Sequence, residues 1–284
     1  MHIIVTGGSS GIGLAIAKLY ADRGARVSLL ARQSGRLEQA RDELTAISDV
    51  DPFRIQIASV DVASASQISD AVALCERAFG PCDILVASAG IVEPSAFDAM
   101  PAAVFDEQIA TNLLGTANVV RAVYKGMKAR RSGKIMMLSS GAALIGIYGY
   151  SAYCASKSGL AGFAEALRAE AGAFGIRVCV CFPPDTLTPQ YHREMSMRPA
   201  EAALLMGSVK PWSAEAVATR IVRGLDRGKA RIHFGWSLTA LAYFGPLIKP
   251  PLMWWVSRKM RKIIGQGQEV SLVDAVDGGF DRGT

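Results

Sequence analysis

Residues 2–24 read HIIVTGGSSGIGLAIAKLYADRG, and this stretch decides the fold. HIIVT is a short run rich in β-branched residues, the composition of a buried strand. From Gly11 onward apolar residues recur at helical spacing, and Gly24 marks a stop. Between them Thr6-Gly7-Gly8-Ser9-Ser10-Gly11-Ile12-Gly13 has the form T-G-x-x-x-G-x-G. Glycines at a strand-to-helix turn let the backbone bend sharply and come close to a phosphate. The helix N-terminus offers unpaired N–H groups and a partial positive charge to the same phosphate. The stretch predicts a β-α unit whose turn holds the pyrophosphate of a dinucleotide, through Thr6, Gly7, Ser9, Ser10, Gly11, Ile12 and Gly13.

Working outward, the same alternation repeats. Further strands are expected in ARVSLLAR (25–32), FRIQIASVDV (53–62), CDILVASAG (82–90), GKIMMLSS (133–140) and IRVCVCFPP (176–184). Helical periodicity fills 34–47, 65–80, a long segment around 105–130, and 152–175. Short buried strands alternating with helices predict an α/β fold, a doubly wound parallel sheet (Rossmann fold) with helices on both faces. Ligands of such sheets lie beyond the carboxyl ends of the strands. The region 184–212 is irregular and follows the sixth strand, so it is expected to cover the crevice as a lid. A helix from Ser213, its plausible cap, and a last strand in KARIHFG (229–235) follow. The expected division is a catalytic dinucleotide-binding domain over 1–235 and a C-terminal extension over 236–284.

Composition sets the bounds. The chain has 284 residues, half of them apolar, enough for one large domain with a sizeable core. The net charge is +6, but the basic residues are scattered apart from Arg258, Lys259, Arg261 and Lys262. They form no stripe interleaved with aromatics, which argues against a nucleic-acid binder. The five cysteines show no metal or redox spacing, so free thiols in a reducing, cytoplasmic compartment are expected. The three histidines lie far apart, and no metal site is expected. No signal peptide is expected ahead of a strand that starts at residue 2.

The second strand ends in Ala31-Arg32, where NAD-binding folds place a carboxylate for the ribose 2′-hydroxyl. Arg36 follows one turn later. Guanidinium groups complement a 2′-phosphate, so the expected cofactor is NADP(H). Asp61 and Val62, closing the third strand, are expected at the adenine.

Tyr153 and Lys157 stand four residues apart on a helix and so share a face. The ammonium is expected to lower the phenol pKa toward the working pH. A phenol so tuned can give a proton to a carbonyl oxygen or take one from a hydroxyl. Ser140, at the end of the fifth strand, can bond the same oxygen.

With these residues in place the chain resembles the short-chain dehydrogenase/reductase family. The resemblance spans roughly residues 1–183 and rests on TGGSSGIG, AR after the second strand, VDV, TNLLG, LSS and YCASK. It implies a catalytic tetrad of Asn112, Ser140, Tyr153 and Lys157. In that family the asparagine holds a water that links the lysine to solvent, and the lysine also binds the nicotinamide ribose. Hydride passes from the nicotinamide C4 to the ketone carbon while the tyrosine protonates the oxygen. The resemblance further implies cofactor contacts at Ala89, Gly90, Pro183, Thr186 and Thr188.

Two positions depart from the family pattern. Ala87-Ser88-Ala89-Gly90 replaces N-N-A-G, and Pro183-Pro184 replaces P-G. The run PPDTLTP (183–189) is similar to that of the 3-ketodihydrosphingosine reductase branch. That likeness implies NADPH-dependent reduction of a long-chain sphingoid ketone, 3-ketodihydrosphingosine to dihydrosphingosine. Other bulky apolar carbonyls (an oxidised ceramide, a steroid, a 3-oxoacyl chain) stay open, as does a non-catalytic NADP(H)-sensing module. Met195, Met197, Met206 and His192 of the lid, with Tyr148 and Tyr150, are candidates to line the pocket.

The segment WSLTALAYFGPLIKPPLMWWV (236–256) is apolar, but Pro246, Pro250 and Pro251 are expected to break it and Lys249 to oppose a span. Two short pieces joined at a proline corner suit a monotopic membrane-surface anchor over 236–263, with RKMRK meeting anionic lipid on the cytoplasmic face. Packing on the domain's own core or on a partner subunit is the alternative. The family often forms homodimers or homotetramers through the helices that carry Asn112 and Tyr153. The tail 269–284 is expected to fray.

Overall fold

A computed structural model describes residues 1–46, 51–207 and 210–265; the tail 269–284 lies outside them. The chain opens with β1 (His2–Thr6), α1 (Gly11–Ala21), β2 (Arg26–Ala31), α2 (Ser34–Ala46), β3 (Ile55–Ser59), α3 (Ala65–Phe79) and β4 (Ile84–Ala87). Next come α4 (Ala102–Ile109), a π-helical turn (Ala110–Leu114), α5 (Gly115–Ala129), β5 (Gly133–Leu138), α6 (Ser151–Ala171) and β6 (Ile176–Phe182). The lid holds β7 (Thr186–Leu187), α7 (Pro189–Met195), α8 (Ala203–Met206) and β8 (Trp212–Ser213). The chain then runs through α9 (Ala214–Asp226), β9 (Arg231–His233) and α10 (Gly235–Gly265).

Seven parallel strands form one sheet in the order β3-β2-β1-β4-β5-β6-β9. β1 shows why this order is stable. All five of its residues are buried, as in a strand covered on both faces. The period of two sends Ile3 and Val5 to one face, with Ile16 of α1 and Ile221 of α9. Ile4 goes to the other, with Val72 of α3 and Val120 of α5. Each such side chain stabilises the fold by about 1.5–3 kcal/mol when fully buried. The order reverses at β1, whose neighbours are β2 and β4, and a crevice opens there at the strand ends.

Several expectations need adjustment. The third strand is shorter than its apolar run, because Asp51 caps a 3₁₀ turn over Pro52–Arg54 and pairing stops at Ser59. Asp61 and Val62 therefore lie past the strand. The long helix begins at Ala102, and its hydrogen bonding widens to a π turn around Asn112. The lid gains an unforeseen two-stranded pairing, Thr186 with Trp212 and Leu187 with Ser213. Ser213 does cap α9, accepting from the Ala216 N–H at 3.1 Å.

The C-terminal segment breaks once, at Phe244 (φ −113°, ψ 15°), so two helical pieces meet there. Pro250 and Pro251 stay inside the second piece, against expectation. Proline's fixed φ is already helical, so each costs mainly one hydrogen bond to the carbonyl four residues back. Those carbonyls belong to Pro246 and Leu247, both exposed, where water can take the bond. No helix among the described residues is long and apolar enough to cross a membrane.

Candidate active site

The glycine turn has the shape the sequence required. Gly7 has φ +64°, and a Cβ there would lie 2.8 Å from the Ala89 nitrogen. A Cβ on Gly13 would collide with the Gly7 carbonyl. Thr6 and Gly13 thus shape the turn from behind, and the Thr6 hydroxyl accepts the Ala89 N–H at 3.3 Å. Gly7, Ser9, Ser10, Gly11 and Ile12 face a cavity of about 950 Å³ at the strand ends. Ser64, Thr188 and Ser213 cap their helices with a side-chain bond, but Ser10 does not. The first-turn N–H groups of α1 meet no competing side-chain cap, which fits a bound pyrophosphate.

Arg32 and Arg36 also line the cavity, with Val62, Ala89, Gly90, Pro183, Thr186 and Thr188. Arg32 is held by Glu107 at 3.4 Å, a half-exposed pair that an incoming phosphate can displace at little cost. Asp61 is not among the residues that line the cavity, although Val60 and Val62 on either side of it are. Its carboxylate accepts the Ala63 N–H at 2.9 Å and its N–H donates to Gln67 at 3.1 Å, so it builds its own turn. Thr188 comes over the turn from the lid: a Cβ on Gly11 would stand 2.9 Å from its methyl.

Ser140, Tyr153 and Lys157 meet at the far side of the cavity. Ser140 lies two residues past β5 and accepts the Ala142 N–H at 3.2 Å. The Ser139 hydroxyl donates to the Lys157 carbonyl at 2.8 Å and ties α6 to the end of β5. Lys157 Nζ donates to the Leu138 carbonyl at 3.0 Å and lies 5.6 Å from the Tyr153 ring centroid. Burial pushes its pKa down to about 8.

Burial, and after it the Glu194 carboxylate, push the Tyr153 phenol well above its usual value. The nearby Ser140 hydroxyl offsets them only in part. This reverses the expectation of a lowered phenol pKa. The desolvation of a half-buried phenol outweighs an ammonium bonded elsewhere, to the Leu138 carbonyl. The phenol is a proton donor, which suits reduction of a carbonyl.

Asn112 does not line the cavity. It is fully buried at the π turn, where its Oδ1 accepts the Ile91 N–H at 2.8 Å. Its Nδ2 donates to the Ile91 carbonyl at 2.9 Å and to Ser156 at 3.0 Å. A Cβ on Gly90 would stand 3.1 Å from Asn112 Oδ1 and 3.2 Å from Lys157 Nζ, so both groups border the same small space.

Sequence reasoning missed a buried network under the lid. Tyr150 donates to Glu194 Oε1 at 2.6 Å, Arg198 donates to the same oxygen at 2.6 Å, and Arg198 donates to Asp185 at 2.8 Å. The i,i+4 spacing of Glu194 and Arg198 was a visible signal for the ion pair, though not for its burial. The inner face of α10 was missed as well: Leu238, Leu241, Ile248 and Leu252 line the cavity. Of the lid candidates Met206 lines it and Tyr150 joins it, whereas Met195, Met197, His192 and Tyr148 do not.

A strand-ended glycine cradle beside a tyrosine, lysine and serine defines a class, and comparison agrees. The family model for short chain dehydrogenase matches residues 1–198. The chain belongs to that family and is an oxidoreductase, for which family and fold imply a nicotinamide cofactor.

Particular relatives narrow the likeness. The chain is 38% identical over 235 residues to a 3-dehydrosphinganine reductase of Danio rerio, and 36% identical over 235 residues to a 3-ketodihydrosphingosine reductase of Bos taurus. Each match covers 82% of this chain and 71% of the relative. Among solved structures, levodione reductase superposes with a TM-score of 0.76 at 25% identity, covering 84% of this chain and 97% of that one.

Proposed function

We propose that this chain is an NADPH-dependent reductase of a long-chain sphingoid ketone, converting 3-ketodihydrosphingosine to dihydrosphingosine at a membrane surface. One observation carries the reading. The cavity does not end at Tyr153 but continues beneath the lid to an apolar wall of Leu205, Met206, Leu238, Leu241, Ile248 and Leu252. Such a wall suits an alkyl chain, each buried CH₂ contributing about 0.8 kcal/mol. The relatives named for sphingoid ketones support the same reading.

When bound, the nicotinamide supplies the hydride. Tyr153 holds the proton that the carbonyl oxygen receives, and the Ser140 hydroxyl bonds that oxygen as charge develops on it. Lys157, whose Nζ donates to the Leu138 carbonyl and lies 5.6 Å from the Tyr153 ring centroid, keeps its positive charge beside the phenol and is within reach of a ribose when cofactor binds. Asn112 clamps Ile91 to Ser156 and so holds the cavity wall beside Lys157. Arg32 and Arg36, with Ser9 and Ser10 nearby, favour a 2′-phosphate over a bare ribose hydroxyl.

The outer face of α10 supports membrane contact. Leu247 is 76% exposed, and Tyr243, Phe244, Trp254 and Trp255 are exposed with it. Arg258 lies 5.5 Å from the Trp254 ring and Lys259 5.8 Å from the Trp255 ring, so charge and aromatic belt share one end. The catalytic unit thus includes the described part of the extension: one face of α10 closes the cavity and the other meets lipid.

Initial rates of NADPH and NADH oxidation across a panel test the reading. The panel holds 3-ketodihydrosphingosine, an oxidised ceramide, a steroid ketone and a 3-oxoacyl chain. The sphingoid ketone with NADPH should give the highest kcat/KM. A steroid or 3-oxoacyl preference, or equal use of NADH, would reject the corresponding half of the proposal.

A further inference from the structure

The buried network under the lid has an unbalanced charge. Asp185 and Glu194 are paired with a single guanidinium, that of Arg198, which leaves one net negative charge. The side chains are 19%, 11% and 7% exposed respectively, so water screens that charge poorly. Both carboxylates line the cavity. Glu194 takes its two hydrogen bonds on Oε1, and Asp185 takes its own on Oδ2. Among the described residues no hydrogen bond reaches Glu194 Oε2 or Asp185 Oδ1. The other charges on the cavity wall lie apart in role: Arg32 and Arg36 at the dinucleotide end, Lys157 beside the phenol, and Arg193 at the exposed side of the lid.

The network also sits next to the reacting atoms. Tyr150, which donates to Glu194, stacks edge-on to Tyr153 with centroids 6.3 Å apart. Burial raises the pKa of the Tyr153 phenol most, and the Glu194 and Asp185 charges raise it further. A carbonyl at Tyr153 would therefore carry its nearest substituents toward Glu194.

We propose that Glu194, backed by Asp185 across Arg198, receives a cationic amino group on the carbon next to the substrate carbonyl, and so selects α-amino ketones over plain ketones. The inference rests on the sphingoid-ketone reading and deepens it, since a sphingoid ketone carries an amine at that carbon. A simple apolar carbonyl would leave the net charge uncompensated opposite the apolar wall of Leu205, Met206, Leu238, Leu241, Ile248 and Leu252. The two carboxylates are specificity-determining groups: they hold the substrate's head while Tyr153 and Ser140 act on the oxygen.

The test compares the intact enzyme with Glu194→Gln and Asp185→Asn on two ketones of equal chain length, 3-ketodihydrosphingosine and its deaminated 1-hydroxy-3-ketone analogue. The wild type should show a lower KM for the amino ketone. Glu194→Gln should raise that KM roughly 10- to 100-fold, so that the preference falls toward unity, with the smaller change in kcat. Asp185→Asn should move it the same way but less.

A second arm reads binding without turnover. Dihydrosphingosine and its uncharged N-acetyl derivative are titrated into the NADP⁺ complex by calorimetry. The free amine should bind more tightly, and only in proteins that keep Glu194. Equal losses on both ketones, or equal binding of the amine and the amide by the wild type, would overturn the inference. Reduction of the sphingoid ketone with no amine preference leaves the proposed function standing and removes this site. Amine binding that depends on Glu194, without reduction of the sphingoid ketone, does the reverse. Unfolding temperatures of the variants, measured alongside, separate a damaged lid from a lost contact.

Discussion

The two halves of the cavity are built differently. The half at the ends of β1, β4 and β5 is made of backbone, of side chains one or two residues past a strand and of the adjoining face of α6: the glycine turn, Ala89, Gly90, Ser140, Tyr153 and Lys157. The half under the lid is made of side chains from four connections after β6, namely α7, α8, the β8 end and α10. The first half is set by a seven-stranded parallel ladder and hardly depends on what packs above it. The second exists only when Thr186 pairs with Trp212 and when α10 turns back over Gly141, where a Cβ would lie 3.1 Å from Leu238. The proposed function thus assigns chemistry to the rigid half and selection of the substrate to the assembled half.

The sharpest way to break this contrast lies in the rigid half. Tyr153→Phe removes the proton donor and leaves the ring, so kcat should fall about 10²- to 10⁴-fold while NADPH still binds. Fluorescence titration of NADPH beside steady-state rates checks both. Retained turnover would move the proton donor elsewhere.

Lys157 tests the cost of that half. Its pKa drops from 10.5 in a free chain to about 8 in the fold, by burial. Between those values the unfolded chain holds a proton that the folded chain lacks, so stability rises with pH across that window. Below it the folded state carries the whole cost, about 3 kcal/mol. Lys157→Met should therefore be the more stable protein at pH 7 without cofactor, though inactive. Its advantage should shrink steadily to about pH 10.5. Urea unfolding at a series of pH values checks this, and a constant difference would contradict it.

Arg32→Ala combined with Arg36→Ala should weaken NADPH binding roughly 10- to 100-fold and leave NADH binding nearly unchanged. Equal weakening of both would place the guanidinium groups away from the 2′-phosphate. The smallest effect belongs to the outside of the assembled half. Trp254→Ala or Lys259→Ala should reduce binding to phosphatidylserine-rich vesicles about 5-fold each, read by flotation. Deleting 236–263 is a poorer probe, because it also strips Leu238, Leu241, Ile248 and Leu252 from the cavity.

The same contrast explains what the sequence disclosed. Thr6 to Gly13, Ser140, Tyr153 and Lys157 are legible because a local spacing on one strand end or one helix face carries each role. Asp61 falls past β3 and not at its close, because a strand's end depends on its pairing with β2, which stops at Ser59. The π turn at Asn112 has no local signal in ATNLL. The Tyr150–Glu194–Arg198–Asp185 network rests on a bond between residues 44 apart in sequence, Tyr150 and Glu194, and becomes visible only when the lid is folded. The phenol pKa was given the wrong sign because burial, a tertiary quantity, dominates it. On α10 the sequence left a lipid anchor and packing on the domain as alternatives, since composition cannot say that one face of a helix looks inward.

Chain length tests most directly the claim that the assembled half receives an alkyl tail. The measurement is kcat/KM with NADPH for a series of amino ketones that differ only by methylenes, kept below their aggregation limits. The account predicts a rise of about 4-fold per added CH₂ until the wall of Leu238, Leu241, Ile248 and Leu252 is covered, then a plateau. A kcat/KM independent of chain length from the shortest ketone onward would contradict it.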